Sequence, residues 1–198
     1  MDSNPSTDYT YDVFISYTRD HPAGTWVSER LFRDFVGYLA EEIGRRPKVF
    51  FDKVDIQPGD DWDTRIRSAL KSSRVLVAVC SARYFYDSQY CRIEWSTFGD
   101  CQVMGENIYR PRVPVRYNDG HRFPAEAQQI QQADFSDANY IIEAFYKTDA
   151  RAVIYEENVR RLAVAVANAI DAAPPFNPNF TIAEPPPFEH QPLAQPRL

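Results

Sequence analysis

The chain has 198 residues, a formal net charge of −6, 44% hydrophobic and 25% charged residues, enough for one globular domain with a sizeable core and a tail. No stretch approaches the ~20 apolar residues of a membrane-spanning helix, and the polar, acidic start from Met1 to Asp8 is no secretory leader. With an acidic balance that argues against a nucleic-acid partner, the expectation is a cytoplasmic protein that engages neither membrane nor nucleic acid.

Asp12 to Tyr17, an apolar run with β-branched and aromatic residues, predicts a buried strand. A helix of strong period follows, with Trp26, Val27, Leu31, Phe32, Phe35, Val36, Leu39 and Ile43 on one face. Gly44 and Pro47 are its stop signals. Lys48 to Asp52 predicts the second strand. The polar loop Lys53 to Asp61 holds the turn pair Pro58 and Gly59, with Asp60 or Asp61 placed to cap the next helix. There Trp62, Ile66 and Leu70 recur every four residues, so the helix runs to about Ser72. Arg74 to Ser81 predicts the third strand.

Ala82 to Tyr90 reads as a loop, and a third helix is expected over about Cys91 to Val103. Ile108 to Tyr117 alternates imperfectly and carries Pro111 and Pro114, which suits an edge or irregular strand. A weaker strand is expected near Ala133 to Ser136. Tyr155, Val159, Leu162, Val166 and Ile170 mark the last helix. From Pro174 onward the composition shifts to an extended or disordered proline-rich tail. The expected division is a disordered start over 1–8, a domain over 9–172 and the tail over 173–198. Strands alternating with helices imply βαβ units and a parallel sheet covered on both faces. Ligands of such sheets sit outside the carboxyl ends of the strands, here Ser16 and Tyr17, Asp52 and Lys53, Cys80 and Ser81.

Candidate chemistry is sparse. Seven scattered glycines form neither a phosphate loop nor a dinucleotide fingerprint. His21, His121 and His190 lack zinc-motif spacing, and nothing resembles a nucleophile elbow. Cys80, Cys91 and Cys101 are odd in number and without paired ligand spacing, consistent with reduced thiols and no metal. A receiver domain needs an aspartate after the third strand, and Val75 to Ser81 ends without one. What remains is Glu94, in the stretch Asp87-Ser-Gln-Tyr-Cys-Arg-Ile-Glu94-Trp95, just past the third strand and within reach of the rim. By spacing alone it is an early-helix carboxylate favoured by the helix dipole. Trp62 and Trp95 are then core residues and Arg19 a solvated loop charge.

Five segments in register change that reading: Tyr11 to Tyr17, Val49 to Trp62, Ile66 to Leu70, Leu76 to Ser81, and Ser88 to Trp95. Together, over roughly residues 9 to 172, they resemble the TIR domain family, and the Gly-Asp-x-Trp and Ser-x-x-Cys-x-x-Glu-Trp forms look like its bacterial members. Tyr90 stands where an aromatic, often Trp, precedes the Cys. The resemblance implies a flavodoxin-like three-layer α/β sandwich with a five-stranded parallel sheet. It makes Lys53 to Asp61 the loop that mediates TIR–TIR self-association and gates the active site. It further implies NAD+ as substrate rather than cofactor, with cleavage at the nicotinamide–ribose bond and Glu94 as the catalytic residue. Ser16, Tyr17 and Arg19 would line the substrate cleft, with Asp52, Trp62, Cys91 and Trp95 nearby. The implied setting is bacterial antiphage defence or signalling, with a protein activator or self-assembly as the switch. The alternative is a non-catalytic TIR interaction module.

One carboxylate suffices for that reaction. The nicotinamide leaves as a neutral group from a cationic pyridinium, so no general acid is required, and the transition state resembles an oxocarbenium ion. A carboxylate beside the ribose stabilises the developing charge. Tyr17 or Trp62 is suited to stack on a flat ring, and Arg19 to pair with phosphate. As an exposed rim group Glu94 is expected to add little to stability, so that Glu94→Ala leaves the fold intact.

Overall fold

The computed structural model describes residues 8–52, 61–103, 106–118 and 120–184. Five strands form one sheet: β1 (Tyr11–Ser16), β2 (Val49–Phe50), β3 (Ser73–Cys80), β6 (Arg112–Arg116) and β7 (Ala133–Asp134). Their order is β2-β1-β3-β6-β7, and every pair is parallel. This is the doubly wound order expected of a flavodoxin-like domain.

The strands are apolar on both faces because both are covered. Val13 and Ile15 of β1, with Val75, Val77 and Val79 of β3 and Val115 of β6, face one helical layer. Phe14, Leu76, Ala78 and Cys80, one residue out of phase, face the other. The first layer pairs an N-terminal helix with the last one. Helix α1 (Ala23–Trp26) passes through a π-helical turn (Val27–Leu31) into α2 (Phe32–Ile43), which stops at Gly44 in the left-handed conformation, φ 66°. Its Leu31, Phe35 and Leu39 meet Tyr155, Val159, Leu162 and Val166 of α8 (Ala152–Asp171). The second layer holds α3 (Trp62–Lys71), α4 (Ala82–Tyr86) and α5 (Gln89–Thr97). Short α6 (Ala125–Gln128) and α7 (Glu143–Thr148) lie along the chain between β6 and α8.

Three local expectations are corrected. The third helix ends at Thr97 rather than running to Val103, because Phe98 is extended and Gly99 takes φ 94°. The chain then forms a hairpin of β4 (Gly99–Val103) and β5 (Glu106–Arg110), antiparallel and outside the main sheet. The expected strand from Ile108 to Tyr117 is therefore two, divided at Pro111, which has no N–H to carry a ladder through. The expected loop Ala82 to Tyr90 contains α4, whose N-terminus Ser81 caps by accepting from Tyr84 N at 3.2 Å.

The proline-rich stretch begins on the domain rather than free of it. Residues 174–184 run without regular structure across the second layer. The Tyr9 hydroxyl donates to Pro174 O at 2.9 Å, and the Tyr9 and Phe176 rings meet edge to face. Phe180 is buried, and with Phe98 it sandwiches the Arg110 guanidinium, 4.0 and 3.9 Å from the two ring centroids. Arg110 Nη2 also donates to Leu70 O at 3.1 Å and Ser73 O at 2.5 Å, a cation at the carboxyl end of α3. Truncating this ring removes one half of the sandwich. Phe180→Ala is expected to cost about 3 kcal/mol, read as a lower urea midpoint. A change under about 0.5 kcal/mol would mean that the segment rests on the domain without stabilising it.

Candidate active site

Ser16 closes β1 on the same face as Phe14, so its hydroxyl points into the second helical layer. Two serine caps set what lies above it. Ser81 starts α4 and Ser88 starts α5, the latter accepting from Cys91 N at 3.2 Å. The result brings together three side chains distant in sequence. Ser16 Oγ lies 2.6 Å from the Tyr84 hydroxyl and donates a short hydrogen bond to Glu94 Oε2.

Glu94 is thus not an exposed rim group, and that expectation is corrected. It is 6% exposed, Ser16 1% and Tyr84 0%. Nor does the helix dipole explain its place, since Glu94 lies past the first turn of α5. Burial pushes its carboxyl up to about 8, against the lowering effect of the Ser16 hydrogen bond. The charge of Asp52 adds to the rise and Arg19 opposes it.

Asp52 organises the facing wall. Tyr17 Oη donates to Asp52 Oδ1 at 2.7 Å and Arg19 Nε to Oδ2 at 2.5 Å. Burial and then the Asp52 hydrogen bond push the Tyr17 phenol up, so it remains a donor. Arg83 on α4 reaches across to Asp20 at 2.7 Å and back to Asp87 at 3.1 Å, tying the two walls at the mouth.

Between these walls lies a cleft of about 340 Å³, bordered by Tyr17, Arg19, Asp52, Ile66, Tyr90 and Glu94. A second lobe of about 380 Å³ shares Tyr17, Arg19 and Asp52 and extends to Ser28 and Glu29. Each lies within the usual range for a small-molecule site, and both open at the carboxyl ends of β1 and β2. A larger concavity of about 820 Å³, lined by Arg33, Asp34, Tyr38, Tyr155 and Glu156 among others, shares no residue with them. Its polar groups already satisfy one another, as in Arg33–Asp34, Tyr38–Glu156 and Tyr155–Asp34. The smaller cleft is the one with a buried, perturbed carboxyl.

The residues expected near the site divide. Ser16, Tyr17, Arg19, Asp52 and Glu94 converge. Trp95 does not border the cleft: one position further round α5, it is fully buried, donates from Nε1 to Glu126 at 2.7 Å and stacks under Arg112. Cys91, one turn before Glu94, is buried beside it rather than in the cleft, and burial followed by the Glu94 charge pushes its thiol well up. The Trp62 side chain and the loop from Lys53 to Gly59, with Asp60, lie outside the described residues. Asp61 caps α3, accepting from Thr64 N at 3.4 Å. Sequence reasoning misses Tyr84, which sits in the expected loop Ala82 to Tyr90. The signal that could find it is Ser81, a helix-capping residue at a strand end, which places the third residue of a helix there.

The family model described as TIR domain matches residues 13–148. The chain belongs to the TIR domain family. No curated protein matches it. Among solved structures, it is similar to the TIR domain of the Toll-related receptor TRR-2 from Hydra magnipapillata, with 21% identity and a TM-score of 0.46 over 76% of this chain and 99% of that one. It is also similar to the TIR domains of the activated Roq1 resistosome that directly recognizes the pathogen effector XopQ, with 21% identity and a TM-score of 0.40 over 80% of this chain and 84% of that one. Ser16 on β1 and Glu94 on α5 both lie within the matched span. No helix among the described residues is long and apolar enough to cross a membrane.

Proposed function

We propose that this TIR domain is an NAD+ nucleosidase of the bacterial NAD-cleaving type, acting in antiphage defence or signalling. Its compartment is the cytoplasm, where thiols such as Cys80 and Cys91 stay reduced. The observation that carries the reading is the buried Glu94 carboxyl bordering the cleft at the strand ends. Burial raises the cost of its charge in the empty site, and a cation arriving there repays that cost. NAD+ brings a cationic pyridinium. As the C1′–N1 bond breaks, its electron pair neutralises the ring nitrogen and positive charge gathers on the ribose. The Glu94 carboxylate stabilises that charge in a low-dielectric site. Water then adds to C1′ and loses a proton, giving ADP-ribose, or an adenine or ribose atom of the same molecule adds, giving a cyclic isomer. Tyr17 and Tyr90 offer ring faces to the flat groups, and Arg19 and Arg83 offer charge to the diphosphate.

The test is incubation of concentrated protein with NAD+ and chromatography of the products over about pH 6 to 9. Nicotinamide with ADP-ribose or a cyclic isomer is expected. Because the free site must ionise, kcat/KM should rise about tenfold per pH unit and level off near pH 8, whereas kcat, reporting the cation-loaded site, should level off lower. Intact NAD+ at high protein concentration and with activating partners would favour the other reading, a TIR module that assembles through Lys53 to Asp61. A kcat/KM independent of pH would remove Glu94 from the mechanism.

A further inference from the structure

We infer that Tyr84, which borders neither lobe of the cleft, is a positioning residue: it fixes the direction of a hydrogen-bond relay, Tyr84 to Ser16 to Glu94, that occupies Glu94 Oε2 and leaves Oε1 to meet the substrate. The inference rests on the reading that Glu94 acts on a ligand in the cleft, and extends it to a residue outside the site.

The direction follows from counting protons. Tyr84 is completely buried, and Ser16 Oγ, 2.6 Å away, is its hydroxyl's hydrogen-bond partner among the described residues. A buried O–H that gives its proton to no acceptor is costly. Tyr84 therefore donates to Ser16. Ser16 has one proton of its own, and the carboxyl oxygen Glu94 Oε2 takes it in preference to the Cys91 sulfur, a weaker acceptor that also lies beside Ser16. Donation in the reverse direction would leave the Tyr84 proton without an acceptor. A hydroxyl that accepts a hydrogen bond donates a stronger one, so Tyr84 reinforces the bond Ser16 makes to the carboxyl.

Tyr84 is held for this role. The Ser81 cap receives its N–H at 3.2 Å, and its ring packs edge to face against Phe85 and Trp95, with centroids 5.1 and 6.4 Å away. This gives the core position of Trp95 a function: it backs the ring that orients the relay. Among the described residues, the groups facing Glu94 are Ser16 and Tyr17 at the end of β1, Arg19 in the loop after it, Asp52 after β2, Tyr84 on α4 and Cys91 on α5. Of these, Tyr84 and Ser16 are the hydroxyl pair able to hold one carboxylate oxygen without reaching the cleft.

The consequence is measurable without turnover. In the full chain labelled with ¹³Cδ-glutamate, the buried carboxyl that disappears in Glu94→Gln is titrated by NMR. Tyr84→Phe, which keeps the ring, should raise its midpoint by about half a pH unit, and Ser16→Ala by more. Added to Ser16→Ala, Tyr84→Phe should change nothing further. In the unaltered protein, a slowly exchanging tyrosine hydroxyl proton that contacts Ser16 should persist across the same titration, a check that stands if Tyr84→Phe does not fold. An unchanged midpoint in Tyr84→Phe, an equal displacement of the midpoint with and without Ser16, or a freely exchanging Tyr84 hydroxyl would each overturn the relay. A raised midpoint in a protein that never consumes NAD+ would sustain the relay and sink the nucleosidase reading. With turnover present, Tyr84→Phe should lower kcat severalfold and move the pH limb of kcat/KM upward with the NMR midpoint, and KM should change less.

Discussion

Glu94→Gln is expected to reduce NAD+ cleavage about 10³-fold and leave the fold in place. The amide keeps the volume and accepts the Ser16 hydrogen bond, so the local packing survives. What it lacks is the negative charge. Fixed groups aimed at a developing charge in a water-poor site contribute about 10²–10³-fold each in other enzymes, and here a full charge is removed. The loss should fall on kcat more than on KM, because the ribosyl charge forms after binding. Product chromatography beside the unaltered protein is the measurement. Turnover within tenfold of the unaltered protein would end the assignment of Glu94. Glu94→Ala is a poorer probe than its sequence setting suggests, since it leaves the buried Ser16 and Tyr84 hydroxyls facing a hole.

The same substitution should stabilise the protein, and by an amount that grows with pH. In the unfolded chain the Glu94 carboxyl releases its proton near 4.5; in the folded protein it holds the proton to about 8. Between those values the unfolded state gains from ionisation and the folded state does not, so stability falls as pH rises through this window. Below about 4.5 and above about 8 the contribution is flat. At about 1.4 kcal/mol for each pH unit that separates the two states, the loss across the window is roughly 3–5 kcal/mol. Glu94→Gln has no proton to release. Urea midpoints of the two proteins should nearly coincide at about pH 4.5 and separate steadily toward pH 8, with the variant the more stable. Parallel curves, or a variant that is weaker at pH 8, would show that the carboxyl is not held uncharged. A residue that costs stability at neutral pH is better explained by chemistry than by packing, which links this result to the first.

Both predictions depend on burial, and burial is the property least accessible from the residues alone. Ser16, Tyr17 and Asp52 are legible because they end or follow strands of a parallel sheet, and strand ends are local features of the sequence, whereas Glu94 and Arg19 are singled out by the resemblance to TIR domains. Trp95 and Cys91 group with them only by proximity along the chain. On a helix, each step along the chain turns the side chain by about 100°, so Trp95 turns into the core. Gly99 reads as helix because the apolar residues on either side suit that period. Its positive φ redirects the chain into the β4–β5 hairpin. The proline-rich segment reads as free because composition reports what a stretch cannot form by itself. It does not report that Phe98 and Arg110 present a slot for Phe180.

The sequence by itself determined the layered α/β plan, the family and the one carboxylate worth testing, because hydrophobic period, capping residues and motif register are written within a few residues of each other. The tertiary structure decided what that carboxylate is. Ser16 and Glu94 are 78 positions apart, and Ser16 and Tyr84 are 68 apart. Only the stacking of α4 and α5 over the end of β1 removes water from Glu94 and gives it two hydroxyls in series. The charge cost of a carboxyl is set by what surrounds it in space.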